Sequence, residues 1–227
     1  MPASEPFFRF HGGLAALTYR QRMMGALKLG AKPQGKLLEL GCGLGDEAAM
    51  LAEAGLNVEA SDLVVHKTWP ALQKASNGRL KFKKADASGK IPVGRYDVVL
   101  AKDMLHHADD PVLVIKRMAA AVKPGGRVII TEANRWNPVF YVHLTLMEGH
   151  EHFSRGKFLD LLAAAGLAGG ELRRVEARVW PFNRPWIQAA FTGLQNFLQA
   201  FPLWWPVVCY HVYDWQKPLA AKKGPKR

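Results

Sequence analysis

The amino-acid sequence predicts an α/β protein built on a parallel sheet with helices on both faces. Short apolar segments alternate with helix-forming segments from residue 36 to residue 132, which is the pattern of strand–helix–strand units. The segment 96–101 is almost entirely apolar, as expected of a parallel strand buried on both faces. A glycine-rich turn at 41–45 leads from the first apolar segment into a helix, the usual opening of a nucleotide-binding sheet.

The elements of this region follow one another in a regular order. Helix ends are marked by residues such as Gly55 after the first helix and Asp109-Asp110-Pro111 at the start of the third. The predicted strands are 36–41, 57–61, 80–85, 96–101 and 127–132. The predicted helices are 46–55, 66–76 and 111–122, and Lys123-Pro124-Gly125-Gly126 is predicted to be the turn that closes the last of them.

The alternation of strands and helices ends after residue 132. Residues 133–153 show no clear period. A helix is predicted at 154–165, with Ser154 as its N-cap and Gly166 after its last turn. Residues 171–180 alternate enough to form a further strand.

The stretch 185–213 carries no charged residue, and its length raises the question of a transmembrane helix. Two prolines interrupt it, and a polar stripe recurs at helical spacing, formed by Gln188, Thr192, Gln195 and Gln199. The sequence therefore predicts an amphipathic helix at 186–201 and a final strand at 207–215. The helix has an apolar face made of Phe191, Leu194, Phe197, Leu198 and Phe201. That face packs on the domain body in one interpretation and contacts a membrane surface or apolar substrate in the other.

Composition limits the function classes. The 227 residues are 49% hydrophobic and 22% charged, as in an ordinary globular protein with a large core. The two cysteines form neither a disulfide framework nor a metal-ligand pattern, and the first residues lack a signal-peptide pattern, so a reducing, cytosolic compartment is expected. The net charge of +12 leaves nucleic acid, an anionic membrane surface and acidic ligands open as partners.

Two acids stand at the ends of predicted strands. Asp62 closes the second strand, where a carboxylate can accept hydrogen bonds from ribose hydroxyls, and Asp86 closes the third. Both belong to the carboxyl edge of the sheet, where ligands of open α/β sheets bind. The glycines form a G-x-G-x-G set that disfavours NAD, and no Gly-Lys-Ser/Thr follows, which excludes a phosphate-binding P-loop.

Taken together, these motifs resemble the class I S-adenosylmethionine-dependent methyltransferases, in the small-molecule "type 11-like" branch. The resemblance covers residues 35–132. It is carried by Leu37-Leu-Glu-Leu-Gly-Cys-Gly-Leu-Gly45, Glu59-Ala-Ser-Asp62-Leu63, Lys84-Ala-Asp86-Ala87, Tyr96-Asp-Val-Val-Leu-Ala-Lys-Asp-Met-Leu-His-His107 and Val122-Lys-Pro-Gly-Gly126. It implies a Rossmann-like, doubly wound and mostly parallel seven-stranded sheet with an antiparallel last strand, plus an irregular or helical lid.

The resemblance also implies an organisation of the chain. Residues 1–35 would be an N-terminal helical lid segment, with a helix from Leu14 to Leu29, and residues 36–132 the S-adenosylmethionine-binding core. Residues 133–217 would add the substrate-side insertion, the amphipathic helix and the closing strands of the same domain. Residues 218–227 are expected to be a basic disordered tail.

The cofactor site that the resemblance implies lies around the glycine turn. Glu39 would hold the amino end of the methionine portion and Asp62 the ribose. Asp86 would bond the exocyclic amine of the adenine. The full set of expected cofactor-binding residues is Glu39, Gly41, Cys42, Gly43, Gly45, Asp62, Leu63, Asp86, Ala87 and Lys102.

The expected chemistry is an in-line methyl transfer, to which holding the acceptor close and aligned contributes most. A base is needed only where the acceptor must lose a proton, and His107 is the first candidate, with His106 beside it. His150 and Glu151 are further candidates, from the insertion that should cover the pocket. The alternation of His150, Glu151 and His152 is weak evidence for a metal, so no metal site is predicted.

The absence of two motifs narrows the class of possible methyl acceptors. The residues after the fourth strand, Ala101-Lys102-Asp103-Met104, differ from the motif of base-amino methyltransferases, and there is no Pro-Cys nucleophile of the cytosine-C5 type. The sequence therefore favours a small, apolar or lipid-linked acceptor, in the cytoplasm or peripherally at the inner membrane face. An RNA methyltransferase, suggested by the +12 charge, and a non-catalytic cofactor-binding module remain the alternatives.

Overall fold

The computed structural model describes residues 13–30, 33–147, 149–176 and 184–219. The predictions that concern 1–12, 31–32, 177–183 and the basic residues after 219 lie outside these described residues.

The sheet has seven strands in the order β3-β2-β1-β4-β5-β7-β6. β1 to β5 pair in parallel, and β7 runs antiparallel to both of its neighbours, β5 and β6. The predicted mostly parallel sheet with an antiparallel last strand is therefore confirmed. The strands are β1 Lys36–Leu40, β2 Asn57–Asp62, β3 Leu80–Lys84, β4 Tyr96–Lys102, β5 Val122–Ala133, β6 Glu171–Val175 and β7 Tyr210–Gln216.

Helices cover both faces of this sheet. The helices are α1 Gly13–Leu27, α2 Asp46–Glu53, α3 Trp69–Ala75, α4 Pro111–Ala121, α5 Pro138–Phe140, α6 Arg155–Ala164 and α7 Pro185–Ala200. α1, α2 and α3 bury apolar residues in one core cluster, and α4 and α6 bury theirs in a second. Short 3-10 turns follow β4 at Leu105–His107 and α7 at Pro202–Val207, and π-helical turns occupy Tyr141–Met147.

The central strand β1 is buried on both faces of the sheet. Leu37 packs into the first core cluster, whereas Leu38 and Leu40 pack into the second. Alternate side chains of a strand point to opposite faces, and both faces of this sheet are covered by helices. The strand therefore has no solvent face on which polar residues would be expected.

Several boundaries differ from the sequence prediction. β5 begins at Val122, so the Lys-Pro-Gly-Gly segment is an irregularity inside the strand and not a separate turn. It is held there because the Gly125 N–H donates to the Lys217 carbonyl and the Lys217 N–H donates to the Gly126 carbonyl. The final strand begins at Tyr210 because Pro202–Val207 forms 3-10 turns.

The amphipathic helix is present as α7, and of the two interpretations of its apolar face, packing of the whole face on the domain body is the one that the structure contradicts. Gln195 is 2% exposed and Gln188 is also buried, whereas Phe197 is 59% exposed. Leu194 and Phe201 are likewise exposed, and Phe191 and Leu198 are half-buried. Gln188 and Gln195 of the polar stripe therefore face inwards, and Leu194, Phe197 and Phe201 of the apolar face are exposed to solvent.

Polar partners on the domain body explain this orientation. The Arg22 guanidinium of α1 donates to the Thr192 carbonyl at 3.3 Å and to Asn196 Oδ1 at 3.0 Å. Gln199 Oε1 accepts from the Glu176 N–H at 3.2 Å. Buried polar groups need such partners, so the polar face of α7 belongs against this surface. None of the helices in the described part of the chain is long and apolar enough to cross a bilayer.

The orientation of α7 is testable by truncating two phenylalanines. Phe158→Ala removes a fully buried ring and is expected to lower the free energy of unfolding by about 3–5 kcal/mol. Phe197→Ala removes an exposed ring and is expected to change it by less than about 0.5 kcal/mol. Urea unfolding measures both. A cost at Phe197 similar to that at Phe158 would contradict the exposed aromatic face.

Candidate active site

The glycine turn lies between the end of β1 and the start of α2, at the carboxyl edge of the sheet. Gly41, Gly43 and Gly45 all have positive φ, of +68°, +49° and +89°. A Cβ on Gly45 would lie 2.5 Å from Phe82 Cζ, so packing alone accounts for that glycine. A Cβ on Gly43 would meet no atom within 4 Å. The backbone at Gly43 is therefore open to the approach of a ligand.

Asp62 joins this turn to the neighbouring strand β2. Its Oδ2 accepts from the Gly43 N–H at 2.8 Å and its Oδ1 from the Val64 N–H at 3.0 Å. The Trp69 indole donates to the Gly43 carbonyl at 2.8 Å. Leu63, the next residue, is largely exposed. The expected ribose-binding acid and the glycine turn are thus brought into direct contact.

Asp86 and Ala87 follow β3 at the same edge. Asp86 is exposed, and a hydrogen bond from Ser88 to its carboxylate lowers the Asp86 pKa. Ala87 is half-buried against the second core cluster. An acid and a small apolar residue therefore follow β3, two strands away from the glycine turn in the sheet.

Glu39 and Cys42 are buried beneath the turn. Burial, and then the negative charge of Glu47, raise the pKa of Glu39 to about 8. One Glu39 oxygen, Oε2, has no hydrogen-bond partner among the described residues. Burial raises the pKa of the Cys42 thiol, and the Cys42 N–H donates to the Ser61 carbonyl at 3.0 Å. Cys42 thus packs as a neutral thiol, whereas Glu39 presents an unsatisfied oxygen.

Lys102, at the end of β4, forms the centre of a buried charge cluster. Its Nζ lies 3.0 Å from Glu47 Oε1 and 3.2 Å from Asp103 Oδ2, and it lies over the rings of Tyr19 and Tyr210. Burial opposes the charged ammonium, but the attraction of Glu47 holds the Lys102 pKa well above its ordinary value. The Tyr19 hydroxyl donates to Glu47 at 2.7 Å. The cluster therefore ties α1, α2, β4 and β7 together.

The sequence analysis did not identify Tyr19, Glu47, Asp103 or Tyr210. They come from four separate parts of the chain, so no local spacing links them. Of these four residues, only Glu47 could have been identified from the sequence. It lies in the first turn of the helix after the glycine turn, where an acid can contact a bound ligand. Asp103 has φ +48°, unusual for a residue other than glycine, and its Oδ1 accepts from the Ala133 N–H.

Histidines from two segments meet at the ends of β4 and β5. His106 Nδ1 lies 2.9 Å from Glu132 Oε2. The His106 ring centroid is 4.0 Å from that of His107 and 4.1 Å from that of His152, and the centroids of His107 and His150 are 4.9 Å apart. Burial lowers the pKa of His106, and it lowers the pKa of His107 and of His152 to about 4. These three imidazoles are therefore neutral near pH 7.

Glu132 holds this cluster on the sheet. Its Oε1 accepts from the Leu105 N–H at 2.8 Å, and burial raises its pKa well above the ordinary value. The Arg135 N–H donates to the Phe153 carbonyl, which draws the 150–153 segment towards the end of β5. Glu132 ends a strand as Asp62 and Asp86 do, and the same argument from strand ends could have found it.

Glu151 is the predicted site residue that the structure does not bring into the histidine cluster. Its side chain is 74% exposed, and its carboxylate lies 3.7 Å from the Arg135 guanidinium. His106, His107 and His150, by contrast, lie together beyond the carboxyl edge of the sheet.

This geometry defines a ligand site with distinct parts. An open glycine turn and the Asp62 carboxylate lie at the ends of β1 and β2, and neutral imidazoles lie at the ends of β4 and β5. Several carboxylates line the site, with Lys102 as their buried counter-charge. Such a site favours a ligand with ribose-like hydroxyls and a positive charge, next to groups that can accept a proton.

Comparison with known protein families identifies the class of protein. Residues 15–173 match the family model described as a methyltransferase domain, and this match covers most of the chain. The protein belongs to this methyltransferase family, and the resemblance to class I S-adenosylmethionine-dependent methyltransferases is confirmed.

Curated relatives add a second comparison. A ubiquinone biosynthesis O-methyltransferase of Acinetobacter baumannii (strain AYE) is 31% identical over 112 residues, which cover 47% of this chain and 47% of that protein. One of the same name from Bordetella avium (strain 197N) is 31% identical over 151 residues, covering 60% of this chain and 62% of that protein. The chain thus matches only about half to three fifths of the length of these curated relatives.

A solved structure shares the fold. Phosphoethanolamine N-methyltransferase 2 of Haemonchus contortus, in complex with S-adenosyl-L-methionine, superposes with a TM-score of 0.61 at 17% identity. The match covers 89% of this chain and 56% of that one. At this identity the likeness supports the Rossmann-like fold, and the acceptor must be argued from the chain itself.

The Lys102–Glu47 pair provides a test of the charge cluster. Lys102→Met leaves Glu47 buried without its counter-charge, and we expect a loss of about 3–5 kcal/mol in the free energy of unfolding. Adding Glu47→Gln to that variant is expected to restore much of the loss. A double-mutant cycle by urea unfolding measures the coupling between the two residues. Additive effects would show that the pair does not interact as described.

Proposed function

We propose that this protein is an S-adenosylmethionine-dependent methyltransferase that acts on a small, lipid-linked acceptor. The family membership supports the methyl transfer. The names of the relatives, which are O-methyltransferases of ubiquinone biosynthesis, make a hydroxyl group on a lipid-linked molecule the first acceptor to consider. The choice of acceptor rests on one observation, which is that aromatic side chains of α7 are exposed to solvent.

The residues around the turn fit the cofactor. S-adenosylmethionine, when bound, supplies a methyl group on a positively charged sulfonium and also carries an ammonium group. The unpartnered Oε2 of Glu39 is a buried acceptor for that ammonium, and the open backbone at Gly43 gives room beside it. We assign the ribose hydroxyls to Asp62 and the adenine to Leu63, Asp86 and Ala87. Lys102 would frame the pocket through its backbone and hold Glu47 in place.

The main contribution of the protein to methyl transfer is to hold the acceptor atom in position. Displacement at a sulfonium methyl needs an acceptor atom held in line with the breaking bond, and orientation of this kind accounts for several kcal/mol of barrier. A hydroxyl acceptor must also lose a proton. We propose His107 as the base, because it lies in the 3-10 turn after β4 and is the exposed member of the histidine cluster. His106 and His150 would position it through their ring contacts.

The apolar surface begins close to this site. Asn134, directly after β5, donates to the carbonyls of Pro206 and Val208, and Asn137 donates to the Val207 carbonyl. These bonds fix the segment after α7 at the carboxyl edge of the sheet. The exposed apolar residues of α7 and this segment are Trp186, Leu194, Phe197, Phe201, Leu203 and Trp205, here named the aromatic surface. We propose that an acyl or prenyl chain lies on this surface and extends its head group towards the histidines.

The aromatic surface also suits an anionic membrane. A cavity of about 320 Å³ beside it is lined by Arg155 and Arg174 together with Trp136 and Trp205. The Arg174 guanidinium stacks on the Trp205 ring at 4.9 Å. Tryptophan and arginine next to exposed apolar residues are the combination that binds peripherally to phospholipid with anionic head groups. We therefore propose that the enzyme docks on anionic membrane through this surface and collects its acceptor there.

The assignment of Glu39 predicts a proton release on cofactor binding. Its pKa of about 8 means that the carboxyl is protonated at about pH 7 in the free protein, and an ammonium beside it would favour the ionised form. Binding should therefore release up to about one proton. Calorimetry in buffers of different ionisation enthalpy measures this release, and Glu39→Gln should abolish it. Cofactor affinity that is unchanged in both Glu39→Gln and Asp62→Ala would refute the site.

The acceptor and the docking surface are tested in one assay. We expect faster methylation of a prenylated phenol in vesicles that contain phosphatidylglycerol than in vesicles of phosphatidylcholine alone. The double variant Phe197→Ser/Leu203→Ser should lose more than about tenfold in vesicle binding and in turnover of the prenylated acceptor. Its turnover of the same phenol without the prenyl chain should be unchanged.

Val93→Ser is the matched control, because Val93 is 76% exposed but precedes β4 at the opposite edge of the sheet. Equal vesicle binding by the control and the double variant would contradict docking through the aromatic surface.

Turnover of His107→Gln equal to that of the wild type would remove His107 as the base. Retention of RNA that weakens steeply with salt, without vesicle binding, would favour the RNA methyltransferase instead.

A further inference from the structure

We propose that His106, Glu132 and His152 form a binding site for a divalent first-row transition-metal ion such as Zn²⁺ or Fe²⁺. Each residue offers one ligand atom, and these atoms all lie within 4.8 Å of one another. All three side chains are almost fully buried, at the ends of β4 and β5 and before α6. The inference goes beyond the proposed methyl transfer and does not depend on it.

The distance between two of these ligand atoms is compatible with coordination of one metal ion. His106 Nδ1 and Glu132 Oε2 are 2.9 Å apart. Two ligands that each lie about 2.1 Å from an ion, at a right angle, are about 3 Å apart. These two atoms can therefore coordinate one ion with little movement, and an imidazole nitrogen of His152 is close enough to become the third ligand.

His152 is the residue whose position has no other explanation. It is 5% exposed, and neither of its ring nitrogens has a hydrogen-bond partner among the described residues. A buried polar atom without a partner is unfavourable, and such atoms are rare in folded proteins. A metal bond to one of its nitrogens would satisfy this side chain.

The carboxylate is already held in one orientation. Glu132 Oε1 accepts from the backbone N–H groups of Leu105 and Met104, which leaves Oε2 directed at His106. Partners that orient a ligand in this way are characteristic of metal sites, where they raise affinity. The site is therefore supported by the strand end and the 3-10 turn, not by side chains alone.

The ligand set indicates the class of ion. Two imidazoles and one carboxylate suit Zn²⁺, Fe²⁺ and their neighbours, whereas Mg²⁺ and Ca²⁺ prefer oxygen ligands. A second group, His106, His107 and His150, also brings three nitrogens together. It contains no carboxylate to balance the charge of the ion, and His107 is exposed, so the buried group is the stronger site.

The sequence did not predict this site, because histidines two apart are weak evidence for a metal. The fold adds two facts that the sequence hides. The 150–153 segment returns to the end of β5, and Glu132 points from that strand end to His106.

Direct metal binding by the tag-free full-length chain tests the proposal. The chain is stripped with a chelator and titrated with Co²⁺, followed by absorption, and with Zn²⁺, followed by calorimetry. We expect a single tight equivalent of metal and a higher melting temperature in its presence. Glu132→Gln and His152→Phe should each weaken binding by more than the roughly 10- to 100-fold that loss of an orienting partner costs.

The control is His66→Ala, which removes a half-buried histidine from the loop before α3 and should bind as the wild type does. Circular dichroism confirms that each variant is folded, and His152→Gln replaces His152→Phe if the latter is not. Absence of a tight equivalent in the wild type would overturn the proposal. So would wild-type affinity in both ligand variants. No cofactor or acceptor is present, so the result is independent of the methyl-transfer proposal.

Discussion

The parallel pairing of β1 with β2 and β4 is the constraint on which the site depends. Leu40 is in register with Ser61 on one side and with Ala101 on the other, so the three strands end at one level. The glycine turn, Asp62 and Lys102 are the residues that follow directly. A shift of one residue in either register would turn alternate side chains to the opposite face and separate Asp62 from the Gly43 N–H.

The electrostatics of the site differ from those of the whole protein. The chain carries a net charge of +12, yet Glu39, Glu47, Asp62, Asp103 and Glu132 surround the carboxyl edge with Lys102 as the cation among them. The raised pKa values of Glu39 and Glu132 favour their neutral form in the free protein, and a bound cation would favour the ionised form. The site is therefore suited to a cationic ligand although the protein as a whole is basic.

The fold could be predicted from the sequence because β1, β4 and most of β5 are buried on both faces and therefore apolar, and because glycine or proline lies near the ends of the strands. The sequence could not predict which face of α7 packs on the domain body. Hydrophobic periodicity distinguishes a polar and an apolar face, but it does not show which of them finds hydrogen-bond partners on the body. In α7 those partners are Arg22 and Glu176, far away in the chain. Local motifs indicated the glycine turn and Asp62, which the structure brings into contact. The Lys102 cluster and the position of Glu132 depend on contacts between distant residues, such as Tyr19 with Glu47.

The reversed direction of β7 separates the two ends of that strand. Tyr210 begins β7 beside Ala133 at the carboxyl edge, and Lys217 follows its last residue and pairs with Gly126 at the amino edge. Any chain joined after Lys217 therefore leaves the domain on the side remote from the ligand site. A fluorescent reporter or surface tether attached at Lys217 would therefore lie at the edge of the sheet opposite the glycine turn, Asp62 and the histidines.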